Sequence, residues 1–296
     1  MAAQLELVGR EKELSQIRAC LTAKRNVLLE GPVGVGKTHL ALAVTRELKR
    51  RVFRVDGDNR YSEQKLSGWF DPPTVIKKGY VADAFIPGPL VEAMREGGIL
   101  FINELNRLPE SVQNVLLPAI DERIILVPRL GEIKAKEGFL VVATQNPQEF
   151  VATSHLSEAI LDRFELVVLD YQTEEEELEI VSSRMNGAKS GKGSQLPLAS
   201  VRLARMTREH PRIKRGASIR AALSVAEIGA ALMKAGASFE EAFVAAAIMA
   251  LPTRIEIERE AESSLSPRTE AEQLLKEWAQ SVLDELGGGE KVKKKA

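Results

Sequence analysis

Eight consecutive residues of the chain have the types and spacing of an anion cradle. They are Gly31, Pro32, Val33, Gly34, Val35, Gly36, Lys37 and Thr38. Glycines at 31, 34 and 36 permit backbone angles that turn successive N–H groups inward around a phosphate. A helix opening near Lys37 adds the positive end of its dipole. The Lys37 ammonium has the length to reach β- and γ-phosphates, and the Thr38 hydroxyl suits Mg²⁺. The apolar run Val27-Leu28-Leu29 before the loop reads as a strand. The stretch Leu40-Ala41-Leu42-Ala43-Val44 after it reads as a helix. Strand, loop and helix together predict that the chain binds a nucleoside triphosphate.

Hydrolysis asks for more: a group that activates water, a metal position, and something to stabilise charge on the transferring phosphate. The apolar run Ile99 to Ile102 ends in Asn103-Glu104. A carboxylate at the carboxyl end of such a strand sits beside the phosphate loop. Glu104 is therefore the expected water-polarising base. Asn103 stands where an Asp is expected to hold Mg²⁺ indirectly, through water. Asn has the same shape but lacks the charge, and weakening a metal's outer shell costs roughly ten- to a hundred-fold in affinity or activity. Three readings of Asn103 stay open: a tolerated variant with slower turnover, an engineered substitution, or a protein that binds ATP without efficient hydrolysis. The first is favoured, because Glu104 has less reason to be present in a dead site.

Three further residues have a weaker claim when taken singly. Asn146, in Thr144-Gln145-Asn146-Pro147, has the chemistry to orient water, although Asn-Pro is also an ordinary turn signal. Arg163, in Leu161-Asp162-Arg163-Phe164, is a cation at a helix end that is as well explained by pairing with a local carboxylate. Arg220 follows Gly216-Ala217-Ser218-Ile219 at the start of a helix, one basic residue among many.

The elements that must position these groups alternate up to about Leu169. Short apolar strands are expected at 27–29, 52–55, 99–102, 140–143 and 166–169, with helices between them, as in a parallel α/β sheet. Several are apolar throughout, which suggests burial on both faces. A helix is expected over 11–23, with Cys20 as a small buried hydrophobe. Pro and Gly punctuate 71–89, which reads as an insertion with little regular helix. The stretch 123–138 reads as a hairpin. From about Gln172 helices take over. Thr173 with Glu176 and Ser238 with Glu241 are capping-box patterns. Ser266 followed by Pro267 opens the last helix, which is expected to stop at Gly287. Asn186 to Gln195 reads as a mobile loop. The expected organisation is an α/β nucleotide domain over 1–171, a helical domain over 172–286, and a flexible basic tail over 287–296.

Composition sets outer bounds. The chain has 296 residues, 44% hydrophobic and 28% charged, as in an ordinary soluble protein. Its formal net charge of −1 gives no global argument for nucleic-acid binding. One cysteine allows no internal disulfide, and His39, His155 and His210 lack metal-ligand spacing, so no protein-built metal site is expected. No signal peptide or membrane-spanning run is recognisable, and a cytoplasmic protein is expected.

Read in order, these motifs resemble an AAA+ ATPase, most closely the MoxR branch, over roughly 7–252. The loop at 31–38 resembles Walker A, and 99–104 resembles the Walker B segment with Asn103 in place of the usual Asp. Ala143 to Pro147 is similar to sensor 1, Leu161 to Phe164 to the arginine-finger segment, and Gly216 to Ala221 to sensor 2. Leu7-Val8-Gly9-Arg10-Glu11 resembles the family's entry motif, whose Val8 and Gly9 positions lie near adenine. The resemblance implies a P-loop NTPase parallel sheet flanked by helices, the AAA+ core, followed by an all-helical lid. It implies ATP and Mg²⁺ as cofactors. It makes Arg163 a finger reaching a neighbouring subunit's γ-phosphate and Arg220 the sensor from the lid. The insertion at 71–89 and the hairpin at 123–138 resemble those that mark the clade shared with magnesium-chelatase ATPase subunits. A homo-oligomeric ring, expected as a hexamer, follows from the resemblance. So does a chaperone-like role toward a separate protein partner, often one with a von Willebrand factor A domain. A nucleotide-gated assembly module with slow turnover is the alternative. A nucleic-acid motor is disfavoured by the neutral charge balance and the lack of a DNA-binding motif.

Overall fold

The computed structural model describes residues 7–147, 156–185, 195–258 and 266–293. The chain divides into two compact units. One is Arg10–Tyr171; the other joins Gln172–Ala296 with the residues up to Gly9.

Among the described residues the first unit contains nine strands: β1 (Val27–Glu30), β2 (Val52–Asp56), β3 (Gly68–Phe70), β4 (Phe85–Pro87), β5 (Ile99–Asn103), β6 (Ile124–Val127), β7 (Gly131–Lys134), β8 (Leu140–Gln145) and β9 (Glu165–Val168). Its helices are α1 (Glu11–Thr22), α2 (Lys37–Glu47), α3 (Glu63–Ser67), α4 (Pro72–Lys78), α5 (Pro89–Glu96), α6 (Glu110–Asp121) and α7 (Glu158–Leu161). Five strands form one sheet in the order β2-β5-β8-β1-β9, with every pairing parallel. The chain is thus an α/β P-loop NTPase fold with a parallel sheet flanked by helices, followed by a helical unit. The central strands are apolar because both faces are covered: Leu28, Leu29, Leu100, Phe101, Ile102, Val141 and Val142 are all buried.

Register decides where the chemistry falls. Asp56 lies opposite Asn103, Ile102 opposite Ala143, and Glu30 opposite Gln145. The carboxyl ends of β1, β2, β5 and β8 therefore reach the same edge of the sheet. That edge is where ligands bind in open α/β folds.

Some expectations need adjusting. The stretch 71–89 is more regular than its prolines suggest. Asp71 caps α4, its Oδ2 accepting from the Thr74 N–H at 3.1 Å, and Pro72 occupies the first helical turn, where its missing N–H costs nothing. The antiparallel pair β3–β4 closes around this helix in sequence. The expected hairpin at 123–138 is present as β6–β7. Cys20 is only partly buried.

The second unit contains α8 (Glu174–Arg184), α9 (Leu196–Glu209), α10 (Ile219–Lys234), α11 (Phe239–Ala250) and α12 (Pro267–Lys293). It is not wholly helical. A short antiparallel ladder pairs β10 (Ile213–Arg215) with β11 (Glu256–Ile257). A turn containing a proline, Pro211 or Pro252, separates each strand from the helix before it. The last helix does not stop at Gly287: α12 continues to Lys293. A glycine ends a helix by taking a positive φ, and Gly287 is not among the glycines that do so. The mobile loop expected over 186–195 falls almost entirely outside the described residues. Both capping boxes are formed. Thr173 Oγ1 accepts from the Glu176 N–H at 3.3 Å, and Glu176 Oε2 accepts from the Thr173 N–H at 3.1 Å. Among the described residues no helix is long and apolar enough to cross a membrane.

The Thr173 box makes one prediction. Thr173→Ala should cost about 1 kcal/mol of stability. In chemical denaturation this appears as a lower midpoint with an unchanged slope.

Candidate functional site

The strand β1 delivers the chain into the glycine loop, and α2 takes it away. Gly36 at the head of α2 has φ 92°, a left-handed conformation that a side chain would strain. Lys37 folds back across the loop, its Nζ donating to the carbonyls of Gly31 at 2.6 Å and Pro32 at 2.7 Å. The α2 face bearing Leu40, Ala41 and Val44 is buried, which fixes the helix end and its N–H groups against the sheet.

Next to Lys37, Thr38 meets the end of β5. Its Oγ1 donates to Asn103 Oδ1 at 2.7 Å. Thr144 Oγ1, from β8, donates to the same oxygen at 3.2 Å and accepts from the Glu104 N–H at 2.9 Å. Asn103 Nδ2 donates in the other direction, to Asp56 Oδ1 at 3.1 Å. The directions are self-consistent. A charged carboxylate only accepts, so Asp56 takes the amide NH₂ and leaves the amide oxygen for the two hydroxyls. The Asp56 carboxyl is held below the ordinary carboxylate range, chiefly by Arg54 and also by the Asn103 amide.

Glu104 follows in the left-handed region, with φ 60° and ψ 58°. This sharp turn separates β5 from the short 3₁₀ turn Leu105–Arg107. Non-glycine residues held in this conformation cluster at functional sites. The Glu104 carboxylate pairs with Arg107 at 3.2 Å. The backbone of Gly57 presses on the turn: its N–H donates to the Asn103 carbonyl at 2.7 Å, and a Cβ there would lie 2.0 Å from the Glu104 carbonyl oxygen.

The remaining sequence candidates are placed as follows. Asn146 is buried, and its carbonyl accepts from Asn106 Nδ2 at 3.3 Å. Arg163 is engaged locally: Nε and Nη2 contact Asp121 Oδ2 at 2.7 and 2.6 Å, and Nη1 donates to the Ala159 carbonyl. Val8, Gly9 and Arg220 belong to the second unit. There the Val8 carbonyl accepts from Gln172 Nε2 at 2.6 Å, and Arg220 is exposed in the first turn of α10. The structure therefore gathers Lys37, Thr38, Asn103 and Glu104 at one edge. Asp56 and Thr144 join them there, and motif reasoning gives neither a role. Their signal is positional: each closes or nearly closes a strand adjacent to β5.

Hard oxygens dominate this cluster. A hydroxyl, an amide oxygen and a carboxylate suit Mg²⁺, which takes few protein ligands and shares the rest of its shell with water and phosphate. The donor set fits that ion.

Comparison with known proteins agrees with the geometry. Residues 26–164 match the AAA domain family, dynein-related subfamily. Over this segment, a little under half of the chain, the sequence is similar to that family. The chain is 31% identical over 229 residues to the gas vesicle ATPase GvpN of Haloferax mediterranei, covering 72% of this chain and 64% of that protein. It is 34% identical over 163 residues to an uncharacterized protein of Staphylococcus haemolyticus, covering 54% of this chain and 61% of that one. The matched stretches thus leave more than a third of each relative unspanned. A RuvB mutant of Thermotoga maritima shares the fold with TM-score 0.53 at 21% identity, over 78% of this chain and 65% of that one. The family model and the ATPase-named relative support an AAA+ ATPase, and the likeness to RuvB shows the fold alone.

Thr144 links the two halves of the site and is fully buried. Thr144→Val keeps the shape but strands the Glu104 N–H, and it should lower stability by about 1–3 kcal/mol. Thr144→Ser keeps the hydroxyl and should lose clearly less. Thermal unfolding of the two variants checks the difference.

Proposed function

We propose that the chain is a Mg²⁺-dependent ATPase of MoxR type that remodels a partner protein from within a ring of identical subunits. The observation that carries this reading is the 2.7 Å bond from Thr38 to Asn103. It couples the phosphate loop to the strand end bearing Glu104.

In this reading the Gly31–Gly36 backbone and Lys37 receive the β- and γ-phosphates. Lys37 exchanges its two loop carbonyls for phosphate oxygens. Thr38, and Asn103 indirectly, are the residues that would hold Mg²⁺, which would supply neutralisation of charge on the triphosphate. Glu104 polarises the attacking water, and Asn146 orients it. Arg163 serves the site of the neighbouring subunit, with Asp121 presetting its guanidinium until that phosphate competes for it. Arg220, with Val8 and Gly9, reads the nucleotide from the helical unit and couples hydrolysis to domain movement. A separate partner, such as one with a von Willebrand factor A domain, would receive that movement. The relative named a gas vesicle ATPase supports ATP as the nucleotide, and nothing narrower is carried over from it. A slowly hydrolysing, nucleotide-gated assembly module is the second reading, favoured by the uncharged Asn103.

Turnover should rise more than linearly with protein concentration, because each site is completed by a neighbour. Glu104→Gln should cut turnover at least a hundred-fold while nucleotide still binds. Arg163→Ala should reduce it by about 10³ to 10⁵ under assembling conditions. Steady-state phosphate release across a concentration series, with nucleotide binding measured separately, checks both. An Arg163→Ala protein that hydrolyses at the parent rate ends the trans-finger role.

A further inference from the structure

The Walker B position lacks its charge, yet a carboxylate stands one amide away. Parallel register sets Asp56, the last residue of β2, directly opposite Asn103, the last residue of β5. Asp56 Oδ1 accepts from Asn103 Nδ2 at 3.1 Å, and Asn103 Oδ1 accepts from Thr38 at 2.7 Å. From these contacts we infer that Asp56 is a positioning residue for the Mg²⁺ site: it fixes the Asn103 amide with its oxygen toward Thr38. This inference rests on the ATP-binding reading above.

Three observations carry it. First, an amide can turn over and present either NH₂ or oxygen, and only the oxygen is useful near a cation. The two hydroxyls can adapt to either face, whereas the Asp56 carboxylate accepts only, so Asp56 sets the orientation. Second, the carboxylate reaches Asn103 although it has another partner: Arg54 Nε approaches Asp56 Oδ2 at 2.9 Å and Arg54 Nη2 approaches Oδ1 at 2.6 Å, while the guanidinium lies over the Phe101 ring. A carboxylate has lone pairs for both partners, so the Arg54 contact does not displace the Asn103 one. Third, Gly57 clamps the backbone just after Asp56 to the Asn103 carbonyl at 2.7 Å. The loop after β2 is therefore registered on the site by main chain as well as side chain.

The pairing has a consequence for the identity of residue 103. With Asp at both positions, two carboxylates would face each other at contact distance, and like charges there disfavour ionisation of both. Asn103 and Asp56 then form a coupled pair, and restoring the acid at 103 alone does not improve the site. Exchanging the two residues does preserve one acid and one amide.

The test uses the full chain, a non-hydrolysable ATP analogue and calorimetric titration in Mg²⁺ and in EDTA. The readout is the ratio of the two affinities. Asp56→Asn should lower that ratio by about ten- to a hundred-fold, with affinity in EDTA unchanged. Asn103→Asp should not exceed the parent ratio, and Asp56→Asn combined with Asn103→Asp should recover it. Arg54→Gln, which removes the ion pair but keeps the carboxylate, should retain most of it. Electron paramagnetic resonance of bound Mn²⁺ gives a second readout, with its signal weakened only in Asp56→Asn. An undiminished ratio in Asp56→Asn, or an exchange variant as poor as Asp56→Asn, overturns the inference while leaving ATP binding intact. An Arg54→Gln loss equal to that of Asp56→Asn overturns it also, since the ion pair alone would then be at work. An analogue that binds nowhere, even in EDTA, removes the ATP-binding reading and this inference with it.

Discussion

The Asn103 side chain is the hinge of the site. One amide accepts from Thr38 on α2 and Thr144 on β8, and donates to Asp56 on β2. It thereby ties three strand ends to the first turn of the phosphate-loop helix. Each contact is a modest hydrogen bond, worth on the order of 1 kcal/mol in isolation. Their importance is geometric. They hold the glycine loop, the Thr38 hydroxyl and the Glu104 turn in one frame, the kind of preorganisation that the proposed phosphoryl transfer asks of a protein.

The fold exists to make that convergence possible. Parallel pairing in the order β2-β5-β8-β1-β9 sends the carboxyl ends of four neighbouring strands to one edge. The strands themselves carry little chemistry: Leu100, Phe101 and Ile102 are fully buried, and the sequence turns polar at Asn103, where the strand ends. Burial fixes the register, and the register places the polar ends opposite one another. A one-residue slip of β2 against β5 would turn Asp56 away from Asn103, because side chains alternate between faces.

Much of this was legible in the residues. The glycine loop, the five sheet strands and both capping boxes announce themselves through local signals: glycines that need special backbone angles, unbroken apolar runs, and Thr or Ser three residues before Glu. The strand after Arg163 begins one residue earlier than its apolar run, because Glu165 joins the ladder through its backbone opposite Val27. What local signals cannot give is adjacency across the sheet. Asp56 and Asn103 are 47 residues apart, and nothing near Asp56 marks it as more than an acid after a strand. Thr144 is hidden in the same way, since its task is to accept from a backbone N–H 40 residues away. Helix ends are least legible where they depend on a single conformational choice: Gly287 permits a stop but does not impose one. Arg163 lay open between a local pair and a reach to a neighbour, and in the single chain the local pair with Asp121 is formed.

The central claim is that a triphosphate lies between the Gly31–Thr38 loop and the Asn103–Glu104 strand end. An experimental structure of the chain with a non-hydrolysable ATP analogue and Mg²⁺ tests it most directly. The β- and γ-phosphates are expected in the loop, with Lys37 moved from the Gly31 and Pro32 carbonyls onto them and Asn103 still oriented by Asp56 with its oxygen on the metal side. A nucleotide bound elsewhere, or an Asn103 amide turned with its NH₂ toward Thr38, would contradict it.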